Sequence, residues 1–307
     1  MRPTALAVTG LTKRYGARTV VDDLDIELPS GVVAGFVGPN GAGNTTTMAM
    51  LRGLVRPSAG SGTVLGSSID EPAAYLPRVG ALIESPAFYP SLTGAENLTV
   101  FATVGGHDRS PIPALLATVG LSERGGGRYR SYSLGMKQRL GIAAALLGDP
   151  DLLILDEPAN GLDPQGVREM RSLIGRLADS GRTVLVSSHD LSELEQVCDW
   201  LVLIDTGRSL YQGPTRALLD DASGGLAIAP RRPEDNATLR GLLVARGHQV
   251  EVHDERLVVS VNGHDVADLA ASLNRCAFDA GMVLVELSPL RTSLEDRYLS
   301  MVQGGAR

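Results

Sequence analysis

The stretch GFVGPNGAGNTTTM, residues 35–48, decides the fold. The glycine-bounded apolar run GVVAGFVG that leads into it reads as a buried strand. The run TTTMAMLRGL that leaves it reads as a helix. Between the two lies a turn with the spacing Gly-x-x-x-x-Gly-x-Thr, from Gly38 to Thr45. Such a turn aims backbone N–H groups at phosphate oxygens, and Gly38, Gly41 and Gly43 allow the tight path and the close approach. The whole loop, Gly38, Pro39, Asn40, Gly41, Ala42, Gly43, Asn44, Thr45 and Thr46, is the phosphate-binding candidate. The Thr45 hydroxyl suits Mg²⁺ and Thr46 adds a donor. One position departs from the usual chemistry. Asn44 stands where a lysine ordinarily reaches the β- and γ-phosphates as a point charge. Its amide is neutral and its reach shorter.

Three further stretches bear on the loop. LLILDEP, residues 152–158, is a buried strand ending in two acids. Asp156 is placed to hold Mg²⁺ directly or through water, and Glu157 to act as general base toward an attacking water. SYSLGMKQRL, residues 131–140, sets Ser133 and Gly135 at a helix start whose N–H groups can bind an anion or simply be capped by the serine. SSHD puts His189 at the end of an apolar strand, within range of a γ-phosphate or in a structural role.

The rest of the chain fits this reading. With 307 residues it has room for two domains. Hydrophobic residues at 43% and charged residues at 21% are ordinary for a globular protein. The net charge of −7 argues against nucleic acid as a partner. The two cysteines, Cys198 and Cys276, have neither disulfide nor metal-ligand spacing, which fits a reducing compartment. No signal-peptide core and no long apolar run is present, so any membrane crossing falls to other chains. Strands alternate with helices, which predicts a mainly parallel α/β sheet. TVVDDLDIEL predicts a strand with period-two alternation through Val21, Asp23 and Asp25. Residues 94–148 are mostly helical in pattern. A composition shift at LLDDASGG, residues 218–225, opens a β-α-β-β-α-β order that matches a ferredoxin-like unit.

Taken together, these stretches resemble the ATP-binding subunit of an ABC transporter over residues 4–222, with a helical subdomain at about 90–148 and an accessory α/β domain at 226–307. The motif order agrees throughout: Tyr15 where an adenine-stacking aromatic belongs, the loop, Glu84 in the Q-loop region, the signature YSLGMKQRL, the Walker B strand LLILDEP, Asp163 in the D-loop NGLD, and the switch His189. GALIESPAFYPSLTGAENL and the tail ELSPLRTSLEDRYL resemble, more narrowly, the bacitracin- and lantibiotic-exporter group near the daunorubicin-type drug exporters. Glu84 replaces the usual glutamine and can still ligate Mg²⁺ or its water. Leu134 and Met136 replace the usual neighbours of Ser133 and Gly135 in the signature. The resemblance implies a P-loop NTPase fold, ATP and Mg²⁺ as ligands, and a homodimer or heterodimer that closes head to tail on two ATP molecules. Each ATP lies between one chain's loop and the other's signature. It also implies separate transmembrane permease subunits, touched by the segment ESPAFYPSLTGAENL, at the cytoplasmic face of the membrane.

Asn44 bears on how such a subunit works. A charge-assisted hydrogen bond contributes about 1.5–3 kcal/mol, so losing the lysine predicts Mg-ATP binding roughly ten- to a hundredfold weaker. Removing a preorganised cation from the transition state predicts a further loss of about 10²–10³ in rate. The intact Glu157 and His189 favour an isolated change, engineered or recent. The alternative is a low-turnover nucleotide-sensing or scaffold subunit paired with an intact ATPase. A soluble ABC protein of translation or DNA repair is more distant, since neither a second cassette nor a coiled-coil insertion is visible.

Overall fold

The apolar runs become the centre of a six-stranded sheet. The computed structural model describes residues 3–39, 41–83, 87–220, 225–253, 256–261, 265–290 and 293–304. The strands in chain order are β1 Thr4–Tyr15, β2 Arg18–Pro29, β3 Val33–Val37, β4 Ala59–Val64, β5 Ser67–Ser68, β6 Val79–Leu82, β7 Leu152–Leu155, β8 Thr183–Ser187, β9 Trp200–Asp205, β10 Arg208–Pro214, β11 Gly225–Pro230, β12 Val250–His253, β13 Arg256–Ser260 and β14 Leu284–Pro289. Every residue of β3, β7 and β8 is buried. They carry continuous rather than alternating apolar residues because both faces of a parallel sheet are covered. The order is β10-β9-β3-β8-β7-β6, parallel except for β10 at one edge. It sets β3 beside β8 and β7 on the far side of β8, so the C-terminal ends of all three meet.

A second, antiparallel sheet has the order β2-β1-β4-β5. Its inner residues Leu6, Val8, Leu24, Ile26 and Leu28 join Phe36, Met48, Ile154, Leu185 and Ile204 in one apolar cluster. Strict alternation through Val21, Asp23 and Asp25 does not hold. Val21 faces inward, but the next inward residues are Leu24, Ile26 and Leu28. A register shift between the pairs Leu11–Leu24 and Lys13–Val21, with Asp23 at φ 55°, turns the strand by one residue. The β-bulge keeps the apolar side chains on the core face past the two acids.

The helix Asn44–Leu51 lies within this cluster. Thr47, Met48, Met50 and Leu51 are all buried, so no single stripe of it faces the core. Burial on several sides fixes the start of the helix, and with it the loop. The helices Gly94–Gly105, Ile112–Thr118 and Leu134–Ala145 form the helical region. Thr93 and Glu96 close a capping box on the first of them.

By its internal contacts the chain divides into two compact units, Met1–Thr215 with Met301–Arg307, and Arg216–Ser300. The second unit has the element order β11, helix Asn236–Ala245, β12, β13, helix Val266–Asp279, β14. Its sheet order β12-β13-β11-β14 is antiparallel throughout, the ferredoxin-like arrangement that the β-α-β-β-α-β order predicts. Leu239, Leu243, Leu269, Leu273 and Ala277 from the two helices pack on Leu226, Ile228, Leu257 and Val259.

Candidate functional site

The sheet order brings the separate stretches into one cleft. Its walls are Gly38, Pro39, Gly41, Gly43, Asn44, Thr45 and Thr46 from the loop, Asp156 and Glu157 from the end of β7, Ser187 and His189 from the end of β8, and Arg18 and Val20 from β2. Ala42 is buried beneath the loop, its N–H donating to the Pro39 carbonyl at 2.9 Å. Asn40 and Glu84 lie outside the described residues.

Two glycines are fixed by close packing. A Cβ on Gly38 would lie 2.7 Å from the Ile204 carbonyl oxygen, and one on Gly43 would lie 2.9 Å from the Val20 carbonyl oxygen. Gly43 also sits at φ 106°, a conformation that side-chain-bearing residues rarely adopt. It caps the helix Asn44–Leu51 without a side-chain hydrogen bond. The first N–H groups of that helix are therefore left for an anion.

Asn44 is turned away from that task. Its Nδ2 donates to the Gly38 carbonyl at 2.8 Å, across the loop's own ring. Its Oδ1 is buried with no hydrogen-bond partner among the described residues. The sequence shows only that the amide is neutral and short. The structure adds that its donor is committed to the backbone.

The two acids are held differently. Asp156 is buried, and its Oδ1 accepts from Ser187 Oγ at 2.6 Å. The same Oγ accepts from the Glu157 N–H at 2.9 Å. Glu157 adopts φ 48°, in the left-handed region. Strain of this kind persists only where the surroundings hold it, and it collects at functional sites. Glu157 Oε2 lies 2.9 Å from His189 Nδ1, so the base candidate and the switch candidate are in direct contact. Ser187 went unremarked in the sequence, where only the histidine two residues on was singled out. A hydroxyl at the end of a buried strand was the available signal. Ser187→Ala leaves a buried carboxylate oxygen and a backbone N–H without their partner. The expected cost is about 1–3 kcal/mol, read as a lower urea midpoint at unchanged slope. Ser187→Thr, which keeps the hydroxyl, is expected to recover most of it.

The oxygen donors fit Mg²⁺. The Thr45 hydroxyl and the Asp156 carboxylate share the cleft, and among the described residues no three His, Cys, Asp or Glu side chains form a metal cage. Mg²⁺ keeps several waters and is bound through one or two protein oxygens together with substrate phosphates, which suits this sparse set. When bound, it would neutralise phosphate charge.

Arg52 approaches from the core side. It is buried at the end of the helix Asn44–Leu51, its Nε donating to the Met48 carbonyl at 3.0 Å. Burial pushes the guanidinium below its ordinary pKa, and the Asp156 carboxylate partly holds it up. Burial likewise pushes the Cys198 thiol up, which makes it inert.

Ser133, Gly135 and Asp163 line a separate hollow together with Leu134, Arg139, Gly161 and Leu162. Both polar candidates also cap helices. Ser133 Oγ accepts from the Met136 N–H at 3.3 Å, and Asp163 Oδ1 from the Gly166 N–H at 2.8 Å. Tyr15 is half exposed at the end of β1, with Lys13 Nζ 5.0 Å from its ring centre, and is not among the residues lining the cleft.

Comparison with known proteins agrees with this geometry. Residues 21–160 match the family model described as ABC transporter. The chain is 38% identical over 312 residues to the bacitracin transport ATP-binding protein BcrA of Bacillus licheniformis, covering 98% of each. The chain belongs to the ABC transporter ATP-binding proteins. Within that ATPase family it is also 41% identical over 207 residues to the lantibiotic transport ATP-binding protein SrtF of Streptococcus pyogenes, covering 67% of this chain and 90% of that one. A solved structure described as the ATP binding subunit of an ABC transporter superposes with a TM-score of 0.63 at 30% identity, over 71% of this chain and 93% of that one. The ABC ATPase fold accounts for the P-loop, the two acids and the histidine meeting in one cleft. Among the described residues no helix is long and apolar enough to cross a membrane.

Proposed function

We propose that this chain energises an exporter of peptide antibiotics or related drugs by binding Mg-ATP, closing as a dimer and driving a separate permease, with turnover lowered by Asn44. The observation behind this reading is the single cleft that joins the loop, Asp156, Glu157 and His189. Its substrate class comes from the bacitracin and lantibiotic transport relatives. In this reading the loop N–H groups and Thr46 hold the phosphates, and Thr45 and Asp156 hold Mg²⁺. Glu157 takes a proton from the attacking water, oriented by His189, and Tyr15 stacks on the adenine. Ser133, Gly135 and Asp163 lie in a hollow distinct from the loop cleft. That separation fits a head-to-tail pair in which each hollow closes over the partner's nucleotide.

The permease contact proposed for the segment ESPAFYPSLTGAENL, residues 84–98, has a physical base in its described part, 87–98. Asn97 is fully buried, donates to the carbonyls of Tyr89 and Thr93, and accepts from the Tyr89 N–H at 2.8 Å. Phe88 packs edge-on against Phe101 and Tyr129 at 5.0 and 5.2 Å. Together they hold the backbone of Tyr89 rigid while its ring is more than half exposed. A rigid aromatic projection suits docking. Such a subunit would sit peripherally at the cytoplasmic face of the membrane.

A low-turnover nucleotide-sensing subunit is the second reading. It is favoured by the Asn44 amide being committed to the Gly38 carbonyl. Co-expression with a candidate permease subunit separates the two. The exporter reading expects a detergent-stable complex and lowered bacitracin susceptibility when Asn44→Lys replaces the native chain. A complex that forms, with susceptibility unchanged by that substitution, supports the sensing role. Failure to form any complex sinks both.

A further inference from the structure

The cleft lacks the lysine of its loop, yet it contains a cation from elsewhere. Arg18 opens β2 and lines the cleft with Val20, Asn44 and Thr45. Arg18 and Val20 lie at the start of β2, where the pairing with β1 shifts between Lys13–Val21 and Arg14–Thr19. The backbone of this stretch is pressed on the loop, since Val20's carbonyl oxygen is the atom a Cβ on Gly43 would meet at 2.9 Å. Among the described residues, Arg18 is the only Lys or Arg lining the cleft. Its side chain is exposed, with no hydrogen-bond or ion-pair partner among them.

Two other nearby cations, Lys13 and Arg52, are engaged elsewhere. Lys13 Nζ donates to the Arg56 carbonyl at 2.7 Å and lies over the Tyr15 ring. Arg52 is buried in the core, bonds its own helix and does not line the cleft. A guanidinium is always charged and presents a fork of donors that matches a pair of phosphate oxygens.

We propose that Arg18 binds the phosphate chain of a nucleoside triphosphate, supplying from β2 the positive charge that position 44 lacks. This rests on the reading of the cleft as an ATP site. It assigns to the β1–β2 hairpin a phosphate contact in addition to the adenine contact of Tyr15. Because Arg18 is exposed, its contribution depends on ionic strength.

The test is titration calorimetry of Mg-ATP and of AMP at low and moderate salt. It compares the native chain with Arg18→Ala, Arg18→Lys, Asn44→Lys and the double variant Arg18→Ala/Asn44→Lys. Removing a charge-assisted contact is expected to weaken Mg-ATP about ten- to a hundredfold. The same change should leave AMP within a few-fold and flatten the salt dependence of Kd, and Arg18→Lys should keep part of the affinity. In the Asn44→Lys background the loss should shrink to a few-fold, because the lysine then takes the phosphate. Equal Kd for the native chain and Arg18→Ala overturns the inference. So does an equal loss for AMP and ATP, which would place Arg18 at the nucleoside end. Binding by Asn44→Lys but none by the native chain also overturns it, while leaving the ATP site standing. Absence of binding in both removes the ATP-site reading itself. Thermal melts of each variant confirm that the exposed substitution leaves the fold intact.

Discussion

Asn44→Lys is expected to bind Mg-ATP ten- to a hundredfold more tightly and to turn over at least a hundredfold faster than the native chain. The affinity gain follows from a new charge-assisted contact worth about 1.5–3 kcal/mol. The rate gain is larger because phosphoryl transfer is catalysed almost wholly by positioning and charge, and one preorganised group carries about 10²–10³. The geometry makes the substitution favourable in a second way. In the native chain Asn44 Nδ2 closes on the Gly38 carbonyl and Oδ1 is buried without a partner among the described residues. A lysine abolishes that orphaned acceptor and sends its ammonium past the loop toward the phosphates. Steady-state hydrolysis with parallel binding measurements checks both parts. Native turnover equal to that of the lysine variant would mean that another group already supplies the charge in the transition state, and Arg18 would be the first residue to substitute.

Glu157→Gln, made in the Asn44→Lys background, is expected to lower turnover by about 10²–10⁴ while Mg-ATP affinity stays within a few-fold. Glutamine keeps the size of the side chain, and the backbone N–H still donates to Ser187 Oγ as it does at 2.9 Å now. The strained φ of 48° is retained too. What is lost is the ability to accept a proton. The split between unchanged binding and collapsed turnover distinguishes a general base from a group that merely shapes the cleft. Parallel losses in both would assign Glu157 a structural role, through its contact with His189 at 2.9 Å.

Much of this was readable along the chain. Continuous apolar runs announced β3, β7 and β8, because a strand buried on both faces has no polar side. The loop announced itself because a tight turn next to a helix start demands glycine at set intervals, and at Gly38 and Gly43 a side chain would meet neighbouring backbone at less than 3 Å. The β-α-β-β-α-β order of the second unit was legible from alternating periodicities. Other features were silent. The bulge at Asp23 inverted the alternation expected for β2, since a single left-handed residue leaves no mark in hydropathy. Ser187 and Arg18 looked like an ordinary strand-end hydroxyl and an ordinary surface cation.

The sequence by itself determined the elements, the loop, and the chemical types of Asp156, Glu157 and His189. Each of these depends on residues close together in the chain, whose spacing records what the backbone must do locally. Only the tertiary structure decided which of them meet. Placing β3 next to β8, and β8 next to β7, carries the end of β3 and the ends of two strands more than a hundred residues further along the chain into one cleft. Packing β2 against Gly43 then brings Arg18 to the same place. Asn44 bonding to Gly38 is decided there as well, because the partner of a short polar side chain is whatever the folded loop sets within 3 Å of it.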